Sequence, residues 1–364
     1  MKEGWEVKKL GDVCNLYQPK TISGEMLVEY GKYLVYGANG IIGRYNEYNH
    51  ENSEVLLTCR GATCGTINIS KPYSWVNGNA MVVQPKNNNI GKVYLQYLLK
   101  AVDWSNVITG AAQPQITRQS LSILNIPVPP LSEQEKIVME LDCLSGIIEK
   151  KKQQLKELDS LAQSIFYEMF GDPVENEKGW EVKPLKEVAP NKVYKGEVPS
   201  VNDKYWLLNL DMISSNTGDI IQKCYFDLEE IGNSTIVFND DNVLYSKLRP
   251  YLNKVVVPNE IGYATSELIP LYPDKLALNR VFLASLLRSS IFVEYISSKV
   301  AGAKMPRVSM GDFWIFPVIL PPLSLQQQFA NQIELIEKQK ELIKQSIKET
   351  ETLFNSRMEY YFNS

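Results

Sequence analysis

Side chains that could catalyse a reaction are few in this sequence. Its one histidine, His50, lies in the asparagine-rich stretch 46–52, where we expect a surface loop. We therefore expect neither a Ser-His-Asp triad nor a multi-histidine metal site. Cys59 and Cys64 have no second cysteine pair to complete a zinc site, so we expect them to be buried or half-buried thiols.

Motifs of nucleotide binding and methyl transfer are also missing. Gly37-x-x-Gly40-x-x-Gly43 lacks the Gly-x-Gly start of a dinucleotide loop, and we expect turn glycines there. An amino-methyltransferase needs an Asp/Asn-Pro-Pro-aromatic tetrad, whereas the Pro-Pro pairs here stand in Val-Pro-Pro-Leu (128–131) and Leu-Pro-Pro-Leu (320–323). We expect no catalytic residue, no metal and no cofactor in this chain.

Side chains suited to reading DNA are present in both halves of the chain. Arginine reads guanine with two hydrogen bonds, asparagine and glutamine read adenine, and lysine and backbone amides hold phosphates. We take as candidates Arg60, Asn77, Asn79, Gln113, Gln115 and Arg118 in the first half, and Lys247, Arg249, Tyr251, Lys304 and Arg307 in the second. Each alone could be an ordinary loop residue, so the hypothesis depends on the paired sets, in which Arg60 and Arg249 take corresponding places.

The sequence repeats itself in the same order. The repeated segments are Gly4–Leu10 with Gly179–Leu185, Gly110–Thr117 with Gly302–Ser309, and Pro129–Gln134 with Pro321–Gln326. The later pairs are further apart than the first, so the second copy carries an insertion inside its globular part. This order indicates a tandem duplication.

Each copy begins with a mixed segment. The β-branched runs Glu54–Thr58 and Lys254–Val257 predict strands. The apolar spacing in Val93–Leu99 and Val281–Leu287 predicts helices. The fold class that follows is mixed α/β, with two globular domains.

Each copy ends in a long helical segment. Ser132-x-x-Glu135 and Ser324-x-x-Gln327 follow the Pro-Pro pairs and predict helix starts with capping boxes. A heptad seam, interrupted at Lys151 and Lys340, then predicts that each helix of ~39 residues, or about 60 Å, packs on another. The seam positions are Ile137, Leu141, Leu144, Ile148, Leu155 and Leu158 in the first helix and Phe329, Ile333, Ile336, Ile343 and Ile347 in the second. If the two helices pair, chain direction makes them antiparallel.

Charge and composition limit the cellular setting. The net charge of −4 argues against a wholly basic nucleic-acid binder, although the acidic excess lies in segment 131–175 and segment 1–130 is slightly basic. No apolar run reaches about 18 residues, so we expect no membrane span. With no signal peptide at the start, the five cysteines are expected to be free thiols in the cytoplasm.

The chain resembles the specificity subunit of type I restriction-modification systems. The resemblance is carried by Gly4–Leu10, by Val35–Gly43, by Pro129–Gln134 with its long helix, and by Ser246–Pro250 in the second copy. It implies two target-recognition domains that each read half of a bipartite double-stranded DNA target, separated by an antiparallel helix pair. It also implies two partner modification subunits, which use S-adenosylmethionine to methylate adenine, and restriction subunits bound through them.

The expected division follows from the repeat and the resemblance together. It comprises target-recognition domain 1 (1–130), spacer helix 1 (131–175), target-recognition domain 2 (176–320) and spacer helix 2 (321–364). Two other readings stay open. The chain could be the recognition part of a stand-alone methyltransferase, which a methyl-transfer assay would reveal, or a coiled-coil adaptor with no DNA role, which would shift no DNA.

Overall fold

The computed structural model describes residues 4–110, 114–232, 234–301 and 305–362. The chain forms two compact units: unit 1 is Met1–Lys151 with Gln345–Ser364, and unit 2 is Lys152–Lys344. Two helices of 40 residues, α4 (Leu131–Phe170) and α9 (Leu323–Phe362), each contribute one half to each unit.

Unit 1 is a mixed α/β domain capped by helix halves. Its strands are β1 (Glu6–Lys9), β2 (Cys14–Tyr17), β3 (Tyr33–Gly37), β4 (Gly40–Tyr45), β5 (Val55–Thr58), β6 (Ile67–Ile69), β7 (Trp75–Val76), β8 (Ala80–Pro85) and β9 (Asn125–Val128). Its short helices are α1 (Leu10–Val13), α2 (Lys92–Ala101) and α3 (Arg118–Ser122). One sheet has the order β2-β8-β5-β6, a second has β4-β3-β7, and β1 pairs with β9.

Unit 2 repeats this plan with a larger sheet. Its strands are β10 (Glu181–Pro184), β11 (Ser200–Val201), β12 (Lys204–Leu208), β13 (Cys224–Phe226), β14 (Thr235–Phe238), β15 (Val243–Ser246), β16 (Val255–Val256), β17 (Gly262–Thr265), β18 (Leu268–Leu271), β19 (Val300–Ala301), β20 (Arg307–Val308) and β21 (Pro317–Leu320). Its short helices are α5 (Leu185–Val188), α6 (Arg280–Arg288), α7 (Ser290–Ser297) and α8 (Met310–Trp314). The sheets run β11-β12-β17-β14 with β13 on β12, β16-β15-β18, β10-β21 and β19-β20.

The strand registers show that the two copies of the sequence repeat have the same strand pairing. In unit 1, β5 pairs with β8 so that Thr58 faces Ala80, and in unit 2, β15 pairs with β18 so that Ser246 faces Leu268. Likewise β1 pairs antiparallel with β9, as β10 does with β21. The predictions of a mixed α/β fold, a two-copy order and long helices are confirmed.

The core of unit 1 forms around α2. Its apolar residues recur on one helical face, so Tyr94, Leu95, Leu98 and Leu99 are buried against β5, β8 and the short helices. In unit 2, α6 buries Phe282, Leu283, Leu286 and Leu287 in the same way. Among the described residues, no helix combines the length and hydropathy needed to cross a bilayer.

The long helices begin one residue before the predicted caps. The Pro130 carbonyl accepts hydrogen bonds from the amides of Glu133 and Gln134 at 2.9 and 3.0 Å, so the first turn already contains Ser132. In α9 the Pro322 carbonyl takes the same role, with Ser324 inside the turn. The prediction of capping boxes at Ser132 and Ser324 is therefore wrong, because the carbonyl of the second proline of each Pro-Pro pair already accepts the first hydrogen bonds of the helix.

A buried glutamine ties each helix start to its globular domain. The Gln134 side chain accepts from the Gly91 amide at 2.8 Å and donates to the carbonyls of Asn89 (2.9 Å) and Pro129 (2.8 Å). Since Gly91 directly precedes α2, one side chain joins the starts of α2 and α4.

Gln326 makes the same three bonds in unit 2. It accepts from the amide of Asn279, the residue before α6, at 2.8 Å, and donates to Ala277 O (2.9 Å) and Pro321 O (2.7 Å). Both glutamines are buried. The repeated Pro-Pro-Leu-Ser-x-Gln segment is therefore a structural joint.

Aromatic packing completes the joint in unit 2. The Phe170 ring lies 4.7 Å from that of Phe282 and 5.3 Å from that of Phe329, and Phe166 packs on the same two rings. These four fully buried rings bring together α4, α6 and α9. In unit 1, Tyr94 and Phe362 meet at 5.6 Å. Aromatic pairs of this kind contribute about 0.5–1.5 kcal/mol each beyond area burial.

Replacing Gln326 by methionine should destabilise unit 2. The change keeps the length of the side chain but leaves Asn279 N, Ala277 O and Pro321 O without their partner, and each unsatisfied buried group costs about 1–3 kcal/mol. We expect urea denaturation to show a loss of about 2–5 kcal/mol. Gln345→Met, on the exposed face of the same helix, should change stability by no more than about 0.5 kcal/mol. Equal effects of the two variants would contradict the joint.

Candidate nucleic-acid interface

In unit 1 two separate segments form a hydrogen-bonded contact that we call loop junction 1, composed of residues 58–66 and 114–116. The Thr58 amide donates to Thr66 O at 2.8 Å and closes the first segment. Gly61 N donates to Pro114 O (3.0 Å), and the Ile116 amide donates to Cys59 O (3.0 Å). Arg60 and Gln115 face each other in a β-bridge between these bonds.

Unit 2 contains the same contact, loop junction 2, composed of residues 246–254 and 306–308. Ser246 N donates to Lys254 O at 3.1 Å. Arg249 N donates to Pro306 O (2.8 Å), and Val308 N donates to Lys247 O (2.9 Å). Leu248 and Arg307 form the β-bridge.

Matching these bonds aligns the two loop junctions residue by residue. Arg60 corresponds to Leu248, Gly61 to Arg249, and Gln115 to Arg307. The expected correspondence of Arg60 with Arg249 is therefore off by one position. The two arginines occupy adjacent positions in equivalent loops. Comparison of the two sequences alone could not align these loops.

Arg249 adopts a backbone conformation that arginine rarely takes. Its φ is +49°, in the left-handed region, whereas the equivalent Gly61 has φ +85°. Glycine enters this region without steric penalty, but a side chain costs roughly 1–2 kcal/mol there. The Arg249 side chain is exposed, as is that of Tyr251 two residues later.

The remaining candidates lie either in the two loop junctions or, like Asn79 and Arg118, outside them. The exposed ones are Arg60, Asn79, Gln115, Arg118 and Arg307, while Lys247 is half-buried. Arg118 begins α3, whose amide end is capped by Thr117 and Ser120. The Arg307 guanidinium donates to Glu267 at 2.6 Å, and this carboxylate raises the pKa of Arg307 above its usual value. Gln113 and Lys304 lie outside the described residues.

Asn77 is not placed to read DNA, contrary to our expectation. It is buried, and its side-chain oxygen accepts from Ile22 N (3.0 Å) and Trp75 Nε1 (3.1 Å) while its nitrogen donates to Ile22 O. The side chain holds the segment around Ile22 against β7. The Asn-Gly-Asn sequence resembles an exposed turn, and only the fold turns its first residue inward.

His50 is likewise buried rather than exposed in a loop. Its ring hydrogen-bonds to the Tyr17 hydroxyl (3.0 Å) and to Asn49 Oδ1 (2.6 Å), and its backbone pairs with Ser74. Burial lowers the pKa of His50 below its usual value. These contacts give it a structural role.

The thiols and glycines have ordinary positions. Each of the five cysteines is a free thiol; Cys59 is buried and Cys64 half-buried. Gly37 and Gly40 flank the two-residue turn between β3 and β4, and Gly43 lies within β4. In the described part of the chain, no group of three or more His, Cys, Asp or Glu could hold a metal ion.

The seam positions are buried or half-buried, and they face two kinds of neighbour. Ile137 and Leu141 belong to the core of unit 1, as Phe329, Ile333 and Ile336 belong to that of unit 2. Ile148 and Ile347 are buried, and the half-buried ones are Leu144, Leu155, Leu158 and Ile343. The first part of each helix therefore packs its seam residues on a globular domain. Further along, the seam residues face the other helix.

Polar residues in the seam have partners. In unit 1, Lys151 Nζ donates to Ser346 Oγ (2.5 Å) and Thr350 Oγ1 (3.3 Å), and Arg357 pairs with Glu140. The order of these contacts shows that α4 and α9 run antiparallel within unit 1.

In unit 2, the buried Lys340 pairs with Asp159 (2.8 Å) and Glu337 (2.9 Å). Burial by itself lowers the pKa of Lys340, but these carboxylates raise it by more, so its pKa lies above the usual value and the ammonium stays charged. Lys344 pairs with Asp219 at 3.1 Å. The sequence marked Lys340 as an interruption; the carboxylates that satisfy it come from α4 and from α9 itself.

Comparison with known proteins gives consistent matches. The family model described as "Type I restriction modification DNA specificity domain" matches residues 2–159 and 177–352. The chain is 26% identical over 319 residues to the type I restriction enzyme MjaIX specificity subunit of Methanocaldococcus jannaschii, covering 78% of this chain and 71% of that one. It is 22% identical over 375 residues to the type I restriction enzyme EcoDI specificity subunit of Escherichia coli, covering 91% and 80%.

Solved structures share the fold. The S subunit of a type I restriction-modification system from M. genitalium aligns with a TM-score of 0.62 at 14% identity, over 98% of this chain and 96% of that one. A chain from a study of complex assembly in the type I R-M system aligns with a TM-score of 0.57 at 17% identity, over 100% and 98%. Since the family model matches both copies of the repeat, the chain belongs to the family of type I restriction-modification DNA specificity domains.

Proposed function

We propose that this chain is the DNA-reading subunit of a type I restriction-modification complex, in which each unit reads one half of a bipartite target. The observation that carries the proposal is the repeated loop junction. Two equivalent loop contacts present exposed arginine and glutamine side chains, which are residue types that address guanine and adenine edges in the major groove.

The strained arginine supports the same function. Backbone conformations that cost free energy cluster at functional sites. Arg249 has the left-handed conformation where its counterpart is glycine, and its side chain is exposed. We infer that Arg249 contacts DNA.

The long helices suit a spacer and a docking surface. Buried joints at Gln134 and Gln326 fix each helix start on its own domain. Specificity subunits such as the MjaIX and EcoDI relatives are named as parts of type I restriction enzymes. We propose that two modification subunits dock on the helices and that restriction subunits bind through them.

Catalysis belongs to the partner subunits in this proposal. The chain reads double-stranded DNA, and the modification subunits bind S-adenosylmethionine and methylate adenine. The one histidine is buried and hydrogen-bonded to Tyr17 and Asn49, which suits a structural role. We propose that the chain has no enzymatic activity of its own and acts in the cytoplasm.

Methylation mapping tests this function directly. The chain and the modification subunit encoded with it should together methylate adenine at one bipartite motif in a host without other such systems. The chain alone, purified with labelled S-adenosylmethionine and DNA carrying that motif, should transfer no methyl group. Methylation by the isolated chain would indicate a stand-alone enzyme, and a motif unchanged when another specificity subunit replaces this chain would exclude DNA reading.

Arg249→Gly should separate stability from binding. Glycine removes the strain of the left-handed conformation, but it also raises the conformational entropy of the unfolded chain, which offsets part of the gain. We therefore expect the free energy of unfolding to rise by about 0.5–1 kcal/mol. DNA binding by the assembled complex should weaken by about 1–3 kcal/mol if the guanidinium meets a base. Arg249→Lys keeps both the strain and the charge and serves as the control for stability.

Arg60→Ala should affect the opposite half of the target from Arg249→Gly. The two residues lie in different units, so each variant should relax the sequence requirement of one half-site. Gel-shift titration of the assembled complex against half-site variants measures this. Equal weakening on every sequence would show that the two arginines contact phosphates.

A further inference from the structure

The two units differ in chemistry at two equivalent positions, one beside each loop junction and one within it. The first position directly precedes a strand: since Thr58 faces Ala80 and Ser246 faces Leu268, the residues before these strands, Asn79 and Glu267, correspond. The second position is the β-bridge residue, Gln115 in unit 1 and Arg307 in unit 2. Unit 1 therefore has two amides where unit 2 has an acid and a base.

In unit 2 the two side chains form a fixed pair. Arg307 Nη2 donates to Glu267 Oε1 at 2.6 Å, while the Arg307 side chain remains 58% exposed. A guanidinium has five N–H donors, and this contact uses one of them. Glu267 is anchored in turn, since its carbonyl accepts from Lys247 N at 2.9 Å. The ion pair thus orients the arginine with donors directed to solvent.

Glu267 carries a second sign of function. Its other carboxylate oxygen, Oε2, is buried and accepts no hydrogen bond from the described part of the chain. Leaving a buried carboxylate oxygen unsatisfied is costly. The carboxylate therefore keeps a buried acceptor oxygen that the single Arg307 contact does not use.

In unit 1 the equivalent side chains are both neutral and exposed. Asn79 and Gln115 each present one amide donor group and one carbonyl acceptor. Adenine offers the complementary pair in the major groove, an N7 acceptor and an N6 donor, whereas guanine offers two acceptors, O6 and N7, which suit an arginine.

We propose that this pair of positions sets one base of each half-site. Arg307, oriented by Glu267, reads a guanine in the half-site bound by unit 2. Asn79 and Gln115 read an adenine at the equivalent place in the half-site bound by unit 1. The inference rests on the proposed function and deepens it, because it assigns bases to residues. Arg307 is a base-contacting residue and Glu267 a positioning residue.

Exchange of the two pairs tests the assignment. The full chain is expressed with its modification subunit in a host without other methylation systems, and N6-methyladenine is mapped across the genome. Glu267→Asn with Arg307→Gln should change one position of the second half-site from G·C to A·T and leave the first half-site unchanged. Asn79→Glu with Gln115→Arg should make the converse change in the first half-site. Methylation at the original motif should fall about 5- to 150-fold in each case.

Single substitutions separate base reading from other roles. Arg307→Lys keeps the charge but loses the two-donor fork, so it should relax the same single position. Glu267→Gln should relax that position as well, whereas a merely structural role would lower methylation at all sites equally. Lys195→Gln removes an exposed positive charge of unit 2 outside loop junction 2, and should leave the motif unchanged.

The outcomes distinguish this inference from the proposed function. A motif that stays the same in both exchange variants, with methylation retained, overturns the base assignment while leaving the DNA-reading function intact. A uniform loss at every site, with the complex still assembled, shows phosphate contacts and also overturns it. Absence of any chain-dependent motif with the unaltered chain overturns both.

Discussion

The joint between each long helix and its globular domain is the constraint on which the other features depend. If a flexible loop alone joined a helix of 40 residues to its domain, the direction of that helix relative to the domain would not be fixed. Here one buried glutamine at the fourth position of α4 or α9 bonds to the start of α2 or α6 and to the preceding proline carbonyl. Because the glutamine is buried, removing its side-chain amide would leave buried backbone N–H and C=O groups without a hydrogen-bond partner.

The joint explains why the seams are not simple coiled-coil seams. Near its start each helix must pack on its domain, so Ile137 and Phe329 lie in the domain cores. Further along, polar residues enter the seam, and each has a partner, as in the contacts of Lys151 with Ser346 and of Lys340 with Asp159. Shifting α4 against α9 would take Asp159 away from the buried Lys340 and leave it only Glu337 of its own helix. The polar contacts therefore specify register more than they add stability.

The two loop junctions show how a duplicated frame can carry different chemistry. Backbone hydrogen bonds hold both in the same conformation, from Gly61 N with Pro114 O in one to Arg249 N with Pro306 O in the other. Because backbone groups make these bonds, the side chains can differ without altering the loop. Amides occupy the positions in unit 1 where an arginine and a glutamate lie in unit 2. A binding surface built in this manner can change its ligand while its fold is retained.

The sequence by itself determined the duplication, the α/β class and the helix lengths, because these depend on local periodicity and repeated segments. It also determined which residue types could face DNA. Tertiary structure alone decided where two of the singled-out residues lie. Asn77, a DNA candidate, and His50, expected in a surface loop, have loop-like neighbours in sequence, yet their side chains are buried among partners far along the chain, Ile22 and Tyr17. It also decided that Gly61, not Arg60, corresponds to Arg249. Burial and pairing arise from contacts between distant segments, and no local pattern of residues encodes those contacts.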